Sequence, residues 1–438
     1  MNFAENADAS AGRATVAERG GQQGRASING SRVRRACDTA AAMATHDPEL
    51  TSGPPMDLHS LRANNKLLDS LVVEISKRAA AQAAAAIRAT AEGEALAGLG
   101  RAGKVLVTGS AGYLGAALCL ALELLDIDYV GVDIVRAPTV HFCHDVVDAS
   151  SLQTSARGCV AILHTAALHA PHANLHHAEK FQATNVEGTK AVLSLGLPVV
   201  HTSTTSLTIT ARVKEHERQG ELVWLDHTAM APTAETDDAP RNKYGRTKLA
   251  AERACVAAAA AGLDVVILRA PRFFAEDTIE PTSEPLPSIK ANELLGRRVA
   301  LVDLVDAELR ALARVRALRG RCLTICAPTP LDALEAKAGL SAAAAATRVR
   351  EKRPVAEAIF AARGWRLADV ITRVYDPSAA MDALSWRPRV TFDSVLRVLA
   401  AGGAEEEDEG ARSRAGGESA ETEIDDAVAL EAVLQGAF

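Results

Sequence analysis

Three glycines spaced GxxGxxG, Gly109, Gly112 and Gly115 in TGSAGYLG, follow the short apolar run Val105 to Val107 and precede the helix-forming run AALCLALELL. Strand, tight turn and helix in that order make a phosphate site, because the helix N-terminus presents unpaired N–H groups and positive dipole charge. Gly109 permits the turn, Gly112 lets backbone approach a pyrophosphate, and Gly115 allows close packing of helix on strand. Spaced glycines alone are a weak signal, and a glycine-rich turn beside a surface aspartate is the plainer alternative. The run YVGVDIV argues against it. Asp133 ends a second apolar strand, where a carboxylate accepts hydrogen bonds from ribose hydroxyls and repels a ribose 2′-phosphate. The residues point to a dinucleotide, with NAD favoured over NADP, held by Gly109, Gly112, Tyr113, Leu114, Gly115 and Asp133.

A second constellation moves protons. Tyr244 and Lys248 in YGRTK are i and i+4, one turn apart on one face if NKYGRTKLAAERACVAAA is a single helix. A phenol titrates near about 10, so use at neutral pH requires roughly 4 kcal/mol of preferential stabilisation of the phenolate. A lysine ammonium together with an oxidised nicotinamide supplies it in a water-poor site. Tyr244 is then a general acid/base for a hydroxyl or carbonyl. YxxxK alone also describes an ordinary helix with exposed side chains, and only the upstream strand, turn and helix separate the two readings.

These residues need elements to hold them. From 101 to 398, apolar strands (KVLVTG, YVGVD, AILHTAA, PVVHTST, DVVILRA) alternate with helical patterns. That alternation predicts an α/β fold: a Rossmann-type, doubly wound parallel sheet with a small C-terminal substrate-binding region. Residues 1–57 lack apolar periodicity and read as a disordered tail. Arg13, Arg25, Arg32, Arg34 and Arg35 suit an organellar transit peptide, whereas Glu5, Asp8 and Glu18 favour a cytoplasmic tail. Over 58–100, Leu61, Leu68, Leu71, Val72, Ile75 and Ala79 recur at helical spacing, predicting one long amphipathic helix outside the Rossmann unit. It would dock on the catalytic domain or pair with a second subunit, and a peripheral helix without catalytic importance is the blander reading. Residues 399–438 read as an acidic linker, Glu405 to Glu409, and a short terminal helix carrying Ile424, Val428, Ala429 and Ala432.

Aromatics make up 3% of the 438 residues, so the core must be built from Ala, Leu and Val. A net charge of −7 gives no electrostatic case for nucleic acid or an anionic membrane. No apolar run approaches the roughly 18 residues that span a bilayer, so a soluble protein is expected. Seven scattered cysteines suit reduced thiols in a reducing compartment. Cys322 and Cys326 in RCLTIC are expected to share a strand face as packing residues.

With these residues in view, the region from about 103 to 398 resembles the extended short-chain dehydrogenase/reductase family, the NAD-dependent epimerases and dehydratases of nucleotide sugars. TGSAGYLG is similar to the family's TGxxGxxG loop, and Asp133 to the acidic residue ending its second strand. The resemblance implies that Asp145 and Val146 border the adenine ring, that Ala166 and Ala167 in HTAA lie beside the cofactor, and that Asn185 supports the active site. It identifies Tyr244 and Lys248 with the catalytic pair. In HTSTTS, counting from the strand places Thr204 at the third catalytic position, with Ser203 as the alternative. LSWRPRVTF resembles the family's closing LGWxPxxxF element. It also implies pairing of two copies through the helices flanking the active site.

Two departures bear on substrate. LRAPR puts Arg272 where nucleotide-sugar enzymes carry an asparagine, and the segment from Arg272 to Arg298 is short. An arginine there suits a phosphate or carboxylate on the substrate. His169, two residues past HTAA, is a further candidate for a substrate contact, while His172 and His176 have helical metal-pair spacing without the Glu of an HExxH motif, and no metal is expected. The expected activity is epimerisation or dehydration of a sugar or nucleotide sugar by transient hydride transfer to NAD. A reductase or dehydrogenase using exchangeable NAD(P)H is the close alternative, and a non-catalytic dinucleotide sensor is the different class.

Overall fold

The computed structural model describes residues 66–229, 231, 238–273 and 286–405. The disordered-tail reading of 1–57, and most of the acidic linker with its terminal helix, fall outside them. The chain runs α1 (Lys66–Arg88), α2 (Ala91–Ala102), β1 (Lys104–Thr108), α3 (Tyr113–Leu124), β2 (Tyr129–Asp133), β3 (Phe142–Cys143), α4 (Ala149–Ser155) and β4 (Cys159–His164). Then follow α5 (Ala178–Phe181), a π-helical turn (Gln182–Glu187), α6 (Gly188–Leu193), β5 (Val199–Thr204), α7 (Ala211–Arg218), β6 (Val223–Leu225), α8 (Lys243–Ala260), β7 (Val265–Ala270), α9 (Leu286–Glu293), α10 (Leu301–Ala313) and β8 (Cys322–Thr324). The C-terminal part adds α11 (Ala333–Lys337), α12 (Ala342–Lys352), α13 (Ala356–Ala361), β9 (Arg373–Tyr375), α14 (Ser378–Ala383) and α15 (Phe392–Glu405).

Seven parallel strands form one sheet in the order β3-β2-β1-β4-β5-β7-β8. Strand direction of travel reverses between β1 and β4, so their carboxyl ends open a crevice of the kind that takes ligands in open α/β sheets. The strands are nearly continuous Val, Ile and Leu because both faces are covered. Val105, Val107, Leu163, Val200 and Leu268 face α3 and α10, while Leu106, Ile162, Val199 and Ile267 face the layer of α4, α6 and α8.

Where it is described, from Lys66 on, the 58–100 segment forms two helices rather than one. Thr90 ends the first and caps the second, its hydroxyl accepting the Gly93 N–H at 3.2 Å. Nor is α1 peripheral: Val72, Ile75, Ala79, Ala80, Ala83 and Ile87 are buried in the main core against α3 and α10. Small alanines let α1 approach closely, and Ser76 Oγ donates to Tyr113 O, 3.2 Å away at the first residue of α3. The C-terminal end also differs, since α15 continues to Glu405, into the segment read as linker. Cys322 and Cys326 do not share a face. β8 ends at Thr324, so Cys322 packs beside Cys255, and Cys326 Sγ donates to Arg298 O in a separate cluster with Val213, Leu225 and Tyr375.

The closing LSWRPRVTF element is tied to α10. Buried Trp386 donates from Nε1 to Asp303 O at 3.0 Å, and the Asp303 carboxylate accepts the Arg389 and Val390 N–H groups at 2.8 and 3.0 Å. Burial pushes Asp303 up to about 7, against those two hydrogen bonds.

Candidate functional site

The glycine loop leaves β1 with Gly109 at φ +74°, a conformation that glycine adopts without strain. A Cβ on Gly115 would sit 2.1 Å from Gly109 O, so helix and turn can touch only because Gly115 has no side chain. Gly112 caps α3, whose first turn carries no acidic residue to compete with an anion at the dipole. Tyr113 and Leu114 are buried in the α3 packing, leaving their backbone N–H groups as the contribution to a phosphate site. Asp133 holds this turn, its Oδ2 accepting the Ala111 N–H at 2.9 Å and its Oδ1 the Val135 N–H at 3.1 Å. Each oxygen keeps a lone pair for a ribose hydroxyl. Ser110 Oγ is buried in the turn without a hydrogen-bond partner among the described residues.

The other cofactor candidates spread along the same strand ends. Ala166 N donates to Thr108 Oγ1 at 3.4 Å, and Ala166 and Ala167 are half-buried. Asp145 accepts from Lys180 Nζ at 3.1 Å, and Val146 is buried against Gly188. His164 of HTAA is structural: its ring bonds Thr108 at 2.7 Å and Thr189 at 3.0 Å, and burial pushes it down to about 3, so it stays neutral. Asn185, on the π-helical turn, accepts the Leu168 N–H at 2.8 Å and donates to Leu168 O at 2.9 Å and Thr247 Oγ1 at 3.1 Å. It thereby fastens the loop after β4 to Thr247, near the start of α8.

Asn242 caps α8 by accepting the Gly245 N–H at 2.7 Å, and Tyr244 and Lys248 lie buried on its inward face. Thr204 acts on the Tyr244 phenol and holds its pKa down, whereas Ser203 Oγ has no hydrogen-bond partner among the described residues. The Ser206 N–H donates to Thr204 Oγ1 at 3.1 Å. Burial pushes Tyr244 up to about 12, and Thr204 offsets only part of that rise.

Lys248 is held by strand β5. Its Nζ donates to Thr202 O at 2.7 Å and lies 3.1 Å from His201 Nε2. Burial brings it down to about 8, with Cys255, Glu252 and Glu308 pulling the other way. Burial, then Lys248 and His164, keep His201 well below its ordinary value. His201 is therefore neutral and accepts at Nε2. Sequence reasoning missed His201, Thr202 and Glu308. Thr202 Oγ1 donates to Glu308 at 2.6 Å across 106 residues of chain, a contact that no local pattern encodes.

The two substrate candidates are less open. Arg272 pairs with Glu293, which also accepts from Arg298 Nη1 at 2.9 Å, because residues 272 and 298 are bridged in parallel. The His169 ring stacks on His172 with centroids 4.1 Å apart. A cavity of about 320 Å³, bordered by Asn292, Glu293, Arg297, Arg366, Asp369 and Arg373, lies alongside; none of Thr204, Tyr244 or Lys248 lines it.

Residues 105–307 match the NAD dependent epimerase/dehydratase family. That stretch, a little under half of the chain, is similar to this family. The matched family is one of NAD-dependent epimerases and dehydratases. Comparison with curated proteins gives no match. Among solved structures, the chain is similar to a short-chain dehydrogenase/reductase superfamily protein from Agrobacterium tumefaciens with bound NAD, at 20% identity and TM-score 0.47, over 69% of this chain and 98% of that one. A dTDP-glucose 4,6-dehydratase from Streptomyces venezuelae is 20% identical with TM-score 0.44, over 68% and 96%. A UDP-glucose-4-epimerase from Stenotrophomonas maltophila is 20% identical with TM-score 0.42, over 69% and 99%. Scores at this level say nothing about substrate.

Proposed function

We propose that the protein is an epimerase or dehydratase that acts on a hydroxyl of a sugar or nucleotide sugar, with NAD held through each cycle. The placement of Thr204 against the Tyr244 phenol, with Lys248 on the same helix face, carries the reading. NAD fits the loop where Gly109 and Gly115 exclude side chains and Ser110 Oγ lacks a partner among the described residues. Gly112, Tyr113, Leu114 and Gly115 would offer backbone N–H groups to its phosphates, and Asp133 would accept from its ribose. Bound there, NAD supplies reversible hydride acceptance at the carbon bearing the substrate hydroxyl.

The chain's own residues handle the proton. Thr204 orients the reacting oxygen, Tyr244 takes its proton, and the Lys248 ammonium stabilises the phenolate charge. Since burial holds Tyr244 at about 12, the positive charges around it must do most of the work of ionising it. Arg297 is exposed beside the Arg272–Glu293 pair and lines the cavity, so an anionic part of the substrate would meet Arg297 rather than the neutralised Arg272.

Denaturing the purified protein and identifying the released nucleotide tests this. NAD in stoichiometric amount is the expected result. An empty protein that oxidises added NADPH with a carbonyl substrate would instead establish the reductase alternative. The homodimer through α8 and its neighbours and a cytoplasmic location belong to the same reading; no described helix is long and apolar enough to cross a membrane.

A further inference from the structure

A buried polar cluster lies behind the proposed catalytic pair, and it spans both faces of the sheet. Successive residues of a strand point to opposite faces. His201 therefore faces α8, and Thr202 faces α10. The backbone carbonyl of Thr202 lies between them and receives Lys248 Nζ at 2.7 Å, while its hydroxyl donates to Glu308 Oε1 at 2.6 Å. Glu308 is fully buried, and its Oε2 has no hydrogen-bond partner among the described residues. A carboxylate in that setting is costly and would be replaced by an apolar residue unless it served something. What it faces, through Thr202, is the lysine.

We infer that Glu308 is a positioning residue for Lys248: gripping the Thr202 hydroxyl, it fixes the carbonyl that holds the lysine and keeps a negative charge opposite the ammonium. The inference rests on Lys248 and Tyr244 being the working pair. Other groups around the lysine cannot substitute. His201 is neutral and His164 stacks behind it, with centroids 5.1 Å apart. On α8 itself, Glu252 is committed to Arg269 of β7 at 2.7 Å, and burial pushes the Cys255 thiol up to about 12. On α10, Asp306 serves Arg310 and Asp303 serves the backbone of Arg389 and Val390. Glu308 is thus the carboxylate near Lys248 with no cation of its own; with Glu252 it favours the charged lysine, and the lysine favours the charged form of Glu308.

The test reads the lysine directly. In full-length protein carrying 13C at lysine Cε, the Lys248 resonance is identified by its disappearance in Lys248→Met and titrated with pH. It should titrate near about 8 in the parent chain. In Glu308→Gln, which keeps shape and a hydrogen-bond acceptor, the midpoint should fall by about one pH unit. Thr202→Val should move it the same way, because a carboxyl without its donor is more readily neutralised, whereas Thr202→Ser should restore the parent value. If Glu308→Gln proves unfolded by circular dichroism, the near-isosteric Thr202→Val decides. An unchanged midpoint in a folded Glu308→Gln or Thr202→Val overturns the inference. Failure of the parent chain to bind NAD would sink the proposed function without touching these midpoints.

Discussion

At the scale of single residues, Thr204, Tyr244 and Lys248 are asked for different things, and their substitution should separate accordingly. Tyr244→Phe should leave NAD affinity nearly unchanged in calorimetry and abolish turnover, since the hydroxyl and nothing else is lost. Thr204→Val should lower kcat about 10²-fold or more by removing the hydroxyl that faces the phenol, while Ser203→Ala should be nearly silent. That pair of measurements resolves the ambiguity that HTSTTS leaves in the sequence. The pH profile should fall on its alkaline side near about 8, where buried Lys248 loses its charge. A profile flat to pH 10 would contradict that role.

At the scale of elements, the glycine turn and its two supporting helices set the site. Gly115→Ala should abolish NAD binding, because its Cβ would lie 2.1 Å from Gly109 O and must push α3 off the turn. The added helix α1 presses on α3 from outside, and fully buried Ile87 anchors its last turn. Ile87→Ala should cost about 2 to 4 kcal/mol in urea unfolding. α10 carries a pH dependence of its own. Glu308 titrates near about 7 in the folded chain, above its value of about 4.3 when unfolded. Between those values the folded chain holds a proton that the unfolded chain has lost. The stabilisation is complete below the lower value and disappears as pH rises through the upper one. The loss of stability between pH 5 and 8 should therefore be shallower in Glu308→Gln, and equal slopes would count against it.

At the scale of the whole molecule, side-chain pairs of large sequence separation join the layers. Arg269 of β7 and Glu252 of α8 form a fully buried ion pair, with Arg269 also donating to Ala229 O at 2.6 Å. Glu92 of α2 reaches Arg310 of α10 and Arg314 just past its end at 3.6 Å each, binding the added helices to the same element that holds Glu308. Glu252→Ala should destabilise the protein by about 3 to 5 kcal/mol, because it strands a buried guanidinium. A loss near zero would mean that water reaches Arg269.

Local signals carried much of this. Glycine spacing, Asp133 at a strand end, the i, i+4 relation of Tyr244 and Lys248 and the five apolar runs all depend on neighbours a few residues apart, and sequence alone determined them. Pairing across the fold did not reside there. The alanines of α1 show a helix but not which face of the sheet it covers, and the break at Thr90 followed from a cap that periodicity conceals. Tertiary structure alone decided that Glu293 pairs with Arg272 and Arg298, and that Thr202 links Lys248 to Glu308. Those outcomes depend on which strand a helix lands on and which charges burial brings together, and neither is set by residues close in sequence.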